Sequence, residues 1–475
     1  MNPRSCSAAL WSVGAAVIAS LGVLFQLWLP LLALIVGVPL VAFVLSEPLR
    51  ALLLWLLASP VLGSYVTLSL PAGIPDVTFD RLVIDGVVLA LLLQRRFSGR
   101  RLLPAGQTDK AMLLLVILGV LDVFLRSARK GSDLLIFFDE TGILLLLFLA
   151  AKNLFTSDDD IKRLAFVMFF LGLMLAFQGI YQSFSHRSLT AAYDYNPETL
   201  GHLLEGRSVG PFLNADIYGV VLVFGFIWTM YLISVANSVR AKFWMAVGLG
   251  FMAVGIFLSL TRAVWVGFLI SMLILQRFDR KLRRVMCLCM AGLILFSLGF
   301  WLLSPEESRL RARVTTGDTI SQRLVAYKVA LMMSLAKPIF GYGRGQEPFS
   351  TGRTEYLSQI GSISAELGAD IGPPHNQYLY MLVQYGAVGL VLYVSIFYVM
   401  FRSSLGFFRL LKVQNKAQRQ LLVSFWAVLA CYLVQGVFVD IVAFPFLGAL
   451  VFVFAGTVEG AHLRLRASSA AAARA

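Results

Sequence analysis

The sequence predicts an all-α fold, an integral membrane bundle of about 12–14 transmembrane helices with one large loop outside the membrane. The first reason is composition. Of 475 residues, 59% are hydrophobic and only 14% are charged, and the mean hydropathy is +0.80. Soluble domains carry about 25% charged residues. The second reason is pattern, because the apolar residues fall into runs close to the roughly 20 residues that a helix needs to cross a bilayer.

About fourteen spans follow from this length criterion. They cover residues 9–27, 31–45, 52–68, 82–93, 112–125, 135–151, 161–181, 217–235, 243–275, 285–303, 378–401, 421–439 and 442–457. The stretch 243–275 is long enough for two spans, and the polar sequence at 259–262 predicts the break between them. Residues 1–465 are predicted to form one transmembrane domain, and the Ala/Ser/Arg-rich residues 466–475 a disordered tail.

The net charge of +14 comes from basic residues that lie between the apolar runs. Such clusters mark the cytoplasmic side of a membrane protein and bind anionic headgroups, so the predicted partners are membrane lipids and not nucleic acid. Five clusters fall on one side of the predicted topology: 95–101, 240–242, 277–284, 402–419 and 464–466. Arg126, Arg129 and Lys130 fall on the other side as an exception. The long polar loops 182–214 and 304–374 then face outward.

The segment around His375 is the first candidate for chemistry. It places a histidine, an amide and two phenols where a predicted membrane helix begins. Ionisable groups at such positions are costly and indicate function by default. An imidazole titrates near neutral pH, so His375 is a candidate general base. The alternative is a helix cap or an anchor at headgroup depth. For Asn376 and Tyr378, capping is as good an explanation as a role in the site.

Four polar segments share the predicted outer face. They read GRSVGPFLN at 206–214, LSLTRAVW at 258–265, SQRLVAY at 321–327 continuing to KPIFGYG at 337–343, and PHNQYLY at 374–380, with GAVGL at 386–390 downstream. In this order they resemble the O-antigen ligase/O-antigen polymerase family of bacterial envelope glycosyltransferases, over residues 206–390. Two positions depart from the family pattern. Ala215 stands where many members have a second Pro/Asn element, and Tyr327 replaces a more usual Trp.

The resemblance implies a glycosyltransferase of the bacterial inner membrane, with its active site facing the periplasm and residues 304–374 forming a periplasmic loop. It implies transfer of a glycan from an undecaprenyl diphosphate carrier to an acceptor hydroxyl. The outer face holds no nucleotide sugar, which agrees with a donor that is already activated and lipid-held. The acceptor is lipid A–core in a ligase, a growing glycan in a polymerase and a protein in a third type, and the motifs leave this open. Single displacement by a base-activated hydroxyl implies inversion at the sugar.

Three arginines are the candidates for holding the carrier diphosphate: Arg207, Arg262 and Arg323. The planar guanidinium binds phosphate oxygens with two parallel hydrogen bonds. The alternatives are a snorkelling helix end for Arg262 and solvated loop charges for the other two. Asn376, Tyr378 and Tyr327 are predicted to support the site. No metal or cofactor is required, because His186 and His202 have no metal-ligand spacing.

Some alternatives stay open at this point. The residues 319–334 have apolar positions at helical spacing, which predicts either an amphipathic helix on the outer membrane surface or a helix packed under the loop. The glycines at 341, 343 and 345 predict a turn rather than a phosphate loop, because no strand precedes them. Asp85, Asp122, Asp139 and Glu140 are interpreted as structural acids at span ends. The competing class of function is a transporter or flippase of lipid-linked sugar, which predicts polar groups at midmembrane and internal repeats.

Overall fold

The computed structural model describes residues 28–63, 67–68, 76–99, 101–127, 129–187, 189, 207–278, 318–344, 349, 355–356, 373–411 and 415–472, with single positions between 283 and 299. These residues are helical almost throughout. One small antiparallel sheet pairs β1 (Thr67–Leu68) with β2 (Val77–Thr78). The predicted all-α membrane bundle is therefore confirmed.

The helices in the described ranges are α1 (Trp28–Ser46), α2 (Pro48–Leu62), α3 (Phe79–Phe97), α4 (Gln107–Arg126), α5 (Lys130–Leu154), α6 (Asp158–Ser185), α7 (Ala215–Val235), α8 (Val239–Leu258), α9 (Arg262–Phe278), α10 (Asp318–Ala336), α11 (Gln377–Leu410), α12 (Lys416–Gln435) and α13 (Pro445–Ala472). Seven of them, α5 to α8 and α11 to α13, are long and apolar enough to cross a membrane. The predicted spans 9–27 and 285–303 fall on residues that are not described or only sparsely so, and the predicted total stays a prediction.

The centre of the bundle is α7, and 94% of its apolar 18-residue stretch is buried. Helices α6, α8 and α12 pack around it. A side chain at Gly225 would come within 3.1 Å of the Cα of Gly172 on α6, so these two helices touch through their backbones. Small residues permit such contacts in membranes, where lipid tails compete equally with apolar side chains. The close packing makes α7 a rigid support for the elements around it.

The predicted break within 243–275 is confirmed. Helix α8 ends at Leu258 and α9 begins at Arg262. Between them Leu260 has a φ of +49°, in the left-handed region that is costly for a side chain with a Cβ. The amide of Leu260 donates to Phe257 O at 3.0 Å, which tightens the end of α8. The chain therefore reverses within three residues.

Helix α11 differs from the continuous span predicted at 378–401. It is interrupted at Gly386, where φ is +64° and ψ is −163°. That backbone conformation is open mainly to glycine. The amide of Ala387, which has lost its helical acceptor, donates instead to Pro338 O at 2.8 Å. The sequence around Gly386 is apolar and gives no polar signal for the break.

The segment 338–343 fills this break with its own backbone. Tyr342 N donates to Val383 O at 2.8 Å, and Gly343 N donates to Gln384 O at 2.9 Å. At Gly341, φ is +65° and a Cβ would lie 2.4 Å from Val383 O. The predicted turn is therefore present at Gly341 and Gly343, and Gly345 lies outside the described residues. The amides of residues 342 and 343 are engaged by helix carbonyls, so they form no phosphate loop.

The basic helix ends that predicted the cytoplasmic side meet at one end of the bundle. Lys416, at the start of α12, donates to Ser234 O near the end of α7 at 2.7 Å. Arg464 of α13 donates to Lys152 O near the end of α5 at 3.2 Å. The α8–α9 break and the start of α11 lie at the opposite ends of their helices. The bundle thus has a basic end and a second end that carries the candidate residues.

Arg126, part of the predicted exception to the charge rule, lies at the end of α4 away from the basic end. It forms an ion pair with Asp122 one turn earlier and donates to Gly341 O at 2.9 Å. Its charge is thus neutralised within the protein, which is a physical reason for its position. The predicted tail 466–475 differs in part, because α13 continues as helix to Ala472, and residues 473–475 lie outside the described ones. Residues 466–472 are rich in Ala, the strongest helix former, and extend α13 beyond the predicted span 442–457.

Candidate functional site

The first part of the site joins His375 to Asp440. His375 lies just before α11 with a φ of +47°, and its amide donates to Asp440 Oδ2 at 3.1 Å. The amide of Asn376 donates to Asp440 Oδ1 at 2.8 Å. The imidazole Nδ1 lies 3.8 Å from Asp440 Oδ2, and the side chain of His375 is 58% exposed. A buried carboxylate thus holds the backbone of an accessible histidine and faces its ring.

The start of α11 is tied to the connection between α12 and α13. Asn376 is the N-cap, and its side-chain oxygen accepts from Tyr378 N at 3.0 Å. Gln377 N donates to Gly436 O at 2.7 Å. The hydroxyl of Tyr378 donates to Leu433 O at 2.7 Å. Asn376 and Tyr378 therefore fix the helix start, as their capping alternative predicted, and thereby the place of His375.

Burial raises the pKa of Asp440 above its ordinary value. The opposing influences are the charge of His375, the amides of Asn376 and His375, and the charge of Arg323. The carboxylate of Asp440 therefore faces the ring of His375 and accepts hydrogen bonds from the backbone on which that ring stands.

The second part of the site is built on the α8–α9 break. Arg207 is buried, at 7% exposure, rather than solvated as its alternative predicted. Its Nη2 donates to Thr261 Oγ1 at 3.1 Å, and its Nε donates to Ser259 O at 3.4 Å. Arg262 follows Thr261 and is exposed at the first position of α9. Two of the predicted diphosphate ligands, 55 positions apart in sequence, therefore stand at one helix break.

The backbone around Arg207 is held by α6. Ser208 N donates to Leu258 O at 3.0 Å, and Ser208 Oγ donates to Gly179 O at 2.6 Å. The buried side chain of Gln182 accepts from Gly210 N at 2.9 Å and donates to Gly210 O at 3.2 Å. Fully satisfied buried polar groups of this kind rigidify their surroundings. The position of Arg207 is thereby fixed before any substrate binds.

The two parts are joined by the end of α12. The side-chain Nε2 of Gln435 donates at 2.6 Å to the backbone oxygen of Ala263, the residue after Arg262. The next residue, Gly436, accepts from Gln377 N at 2.7 Å. The end of α12 thus contacts both the backbone next to Arg262 and the start of α11. Gln435 and Ala263, which are in direct contact, are 172 positions apart in the sequence.

Helix α10 adds the third predicted arginine. Arg323 is half-buried and close enough to Asp440 to lower the pKa of that carboxyl. Tyr327, one turn later, donates from its hydroxyl to Val437 O at 2.9 Å. Arg323 therefore belongs to the histidine part of the site, and Tyr327 holds α10 against the α12–α13 connection.

A buried ion-pair network lies beneath the site. Arg344 pairs with Glu140, and the amide of Arg344 donates to Asp122 Oδ2 at 2.9 Å. Glu140 stands on a π-helical segment of α5, Phe138–Gly142, a kind of irregularity that often accompanies function. Arg344, Glu140, Gln377 and Tyr385 also line a mainly apolar cavity between α4, α5, α11 and α13. The network anchors the residue after segment 338–343 to helices α4 and α5.

Sequence reasoning missed three residues that the structure brings into the site: Asp440, Gln435 and Arg344. Asp440 had a visible signal, because it is an acid in an otherwise apolar connection between two predicted spans. Gln435 is one amide within a predicted span, and Arg344 is one more basic residue in a polar loop. Only the three-dimensional contacts distinguish these two. Among the residues that the structure describes, no group of three His, Cys, Asp or Glu side chains is arranged to hold a metal ion.

A comparison with protein families adds a finding to this geometry. The family model described as O-antigen ligase matches residues 247–394, which include Arg262, Arg323 and His375. Arg207 lies before the matched region. No curated protein matches the chain. The matched region contains both the α8–α9 break and the start of α11. With its long apolar helices, the chain is a multi-pass membrane protein, and its residues 247–394 are similar to the O-antigen ligase family.

Proposed function

We propose that this protein transfers a glycan from an undecaprenyl diphosphate carrier to an acceptor hydroxyl, with His375 as the general base. The similarity of residues 247–394 to the O-antigen ligase family supports a glycan-transferring enzyme of the O-antigen ligase/polymerase type. The observation that carries the finer proposal is the exposed imidazole of His375 beside the buried carboxylate of Asp440. The start of α11, just after His375, contacts Gly436. The preceding residue, Gln435, donates from its side chain to Ala263 O, next to Arg262.

The chemical step is a single displacement. His375 takes the proton of the acceptor hydroxyl as its oxygen forms a bond to the anomeric carbon. The bond from that carbon to the diphosphate oxygen breaks, and its electron pair leaves with undecaprenyl diphosphate. The configuration of the sugar is inverted, because the nucleophile enters opposite the leaving group. Asp440 stabilises the imidazolium that results, in the manner of a carboxylate that orients a catalytic histidine.

The arginines carry the leaving group. Negative charge grows on the departing diphosphate, and fixed cations that need no reorganisation stabilise it best. Arg262 is exposed beside the buried Arg207, which suits it to reach phosphate oxygens directly. Arg207 orders the break on which Arg262 stands. Arg323 is assigned to the same diphosphate from the histidine part of the site. The proposal uses no metal or cofactor for this charge stabilisation.

The proposed location is the bacterial inner membrane, with the site facing the periplasm. The support is the division of the bundle into a basic end and a site end, since basic helix ends remain cytoplasmic. The proposed partners are the carrier-linked donor, membrane lipids and either lipid A–core or a growing glycan as acceptor. The site residues described here act on the donor and on the proton, so both acceptors are compatible with them.

The test uses the purified full-length protein in lipid vesicles with a labelled undecaprenyl diphosphate glycan, with and without lipid A–core. Products are resolved on a gel. Label that moves onto lipid A–core identifies a ligase, and lengthening of the carrier-linked glycan identifies a polymerase. Absence of both products, from protein shown to be folded, contradicts the proposed transfer and favours transport of a lipid-linked sugar.

A further inference from the structure

Helix α10 has two opposite faces of different character. One face is buried and packs on α11 through Val325, Val329, Ala330 and Met333. The opposite face is exposed although it is largely apolar. Its leucines are Leu324 at 55%, Leu331 at 48% and Leu335 at 80% exposure. At 100° per residue these three positions fall within about 40° of one another on the helix surface.

The exposed apolar surface continues past the end of the helix. Ile339 is 60% exposed and Phe340 is 57% exposed, and both belong to the segment 338–343 that fills the break in α11. A contiguous row of large apolar side chains is unusual on a water-facing surface and marks a site of interaction. We call this row, from Leu324 to Phe340, the apolar edge.

The level of the apolar edge follows from its hydrogen bonds. Between Gly386 and Arg402, where the basic cluster 402–419 begins, α11 has 15 residues and is about 22 Å long. The hydrocarbon core is about 30 Å thick, so Gly386 lies in its outer third, and segment 338–343 is bonded to the helix at that level. Arg126, the last residue of α4, also binds the carbonyls of Phe340 and Gly341. The ion pair of Arg126 with Asp122 thus places charged groups at the same level.

The charges on α10 suit the same position. Lys328 stands within the exposed face, whereas the ammonium of Lys337, just after the helix, lies 4.3 Å from the centre of the Tyr342 ring. Lysine chains in such settings bury their methylene stems and extend the ammonium to the headgroups. Anionic lipid headgroups offer the complementary charge. On the flank between the two faces, Arg323 and Tyr327 turn toward the α12–α13 connection.

We infer that α10 is an interfacial helix, with the apolar edge inserted at the boundary between headgroups and acyl chains of an anionic bilayer. The sequence alone did not distinguish this alternative from a helix packed under the loop. The structure gives α10 both a packed face and a separate apolar edge, and the edge is matched to the bilayer boundary. The consequence is that Arg323 sits at the depth of lipid phosphates, so a lipid-linked anion reaches it without leaving the membrane.

The test measures depth with a nitroxide on single cysteines in the full-length protein. The four native cysteines are replaced first, and the label is placed by Leu331→Cys or Leu335→Cys. Both positions are exposed, so the substitutions leave the packed face intact. Vesicles of phosphatidylethanolamine and phosphatidylglycerol are used. Ser98→Cys, exposed between α3 and α4, is the water control, and Leu273→Cys, 65% exposed on α9, is the lipid control.

Labels at residues 331 and 335 are expected to collide with oxygen several times more often than with a water-soluble nickel chelate, as at Leu273. Collision with the chelate at the frequency found for Ser98 would overturn the inference. Shielding from both collision partners would also overturn it, because another part of the chain would then cover the apolar edge. The measurement requires no transfer activity, so its result is independent of the proposed function.

Discussion

The two interruptions of helical structure at the site are filled in different ways. At the α8–α9 break, side chains occupy the gap, with Arg207 donating to Ser259 O and Thr261 Oγ1. At the break in α11, backbone fills the gap, with segment 338–343 donating to and accepting from the interrupted helix. The first break presents cationic side chains, whereas the second is satisfied internally. On the proposed function, the first break holds the carrier diphosphate, and the second ends the short helical part of α11 that follows His375.

The largest expected effect comes from His375, the proposed general base. His375→Ala should lower the transfer rate by about 10²–10⁴-fold, the usual range for loss of a general base. The amount of folded protein should stay unchanged, because the ring is mostly exposed. Rates are measured with the labelled carrier-linked glycan. The control is His186→Asn, an exposed histidine after α6 whose φ of +55° asparagine tolerates. Full activity of His375→Ala would refute the assignment of the base.

The second break itself is tested at its glycine. Gly386→Ala forces a Cβ into a left-handed backbone conformation and to within 2.3 Å of Ile339 C, so about 1–3 kcal/mol of stability should be lost. The readout is the thermal unfolding midpoint in detergent. The matched control is Gly250→Ala on α8, which has no atom within 4 Å of the new Cβ and should be neutral or stabilising. Equal midpoints for the two variants would mean that the backbone conformation at Gly386 does not contribute to the stability of the protein.

The first break is tested at its exposed arginine. Arg262→Ala should lower kcat/KM for the carrier-linked donor by roughly 10–100-fold, as expected for loss of a charge-assisted contact to phosphate. Arg262→Lys should recover part of this loss, because it restores the charge without the planar fork. The control is Arg240→Ala, an exposed arginine of the basic end. A loss of the same size at Arg240 would show a general effect of surface charge.

The smallest effect concerns the pH dependence at Asp440. Because burial raises the pKa of this carboxyl, the wild-type kcat/KM should begin to fall on acidification at a pH above the ordinary aspartate value. The sign follows from the role of the carboxylate, which stabilises the imidazolium only while it is ionised. Asp440→Asn should reduce kcat/KM by roughly tenfold near neutral pH and remove this contribution to the acid limb. An unchanged pH profile would exclude Asp440 from the proton step.

The sequence predicted those parts of the fold that have a local signal. The spans follow from apolar runs, and the α8–α9 break follows from the polar residues at 259–262. The break at Gly386 has no local signal, since its hydrogen-bond partners come from residues 338–343. The same holds for the site. His375 stands out at a helix start, whereas the role of Asp440 arises from a contact across 65 positions. Arg126 lies on the side of the membrane that the charge rule does not predict, and only its distant carbonyl partners, Phe340 and Gly341, explain this position.

The interruption at Gly386 has a consequence for how the protein responds to its membrane. A span that is longer or shorter than the local hydrocarbon thickness adapts by tilting. In α11 the membrane-crossing part and the nine-residue part that follows His375 are separate rods, and the latter is bonded to Gly436 and to segment 338–343. We expect tilt of the long rod to be taken up mainly at Gly386, because the short rod is also held by Gly436. The geometry of the site should hold across bilayers of different thickness.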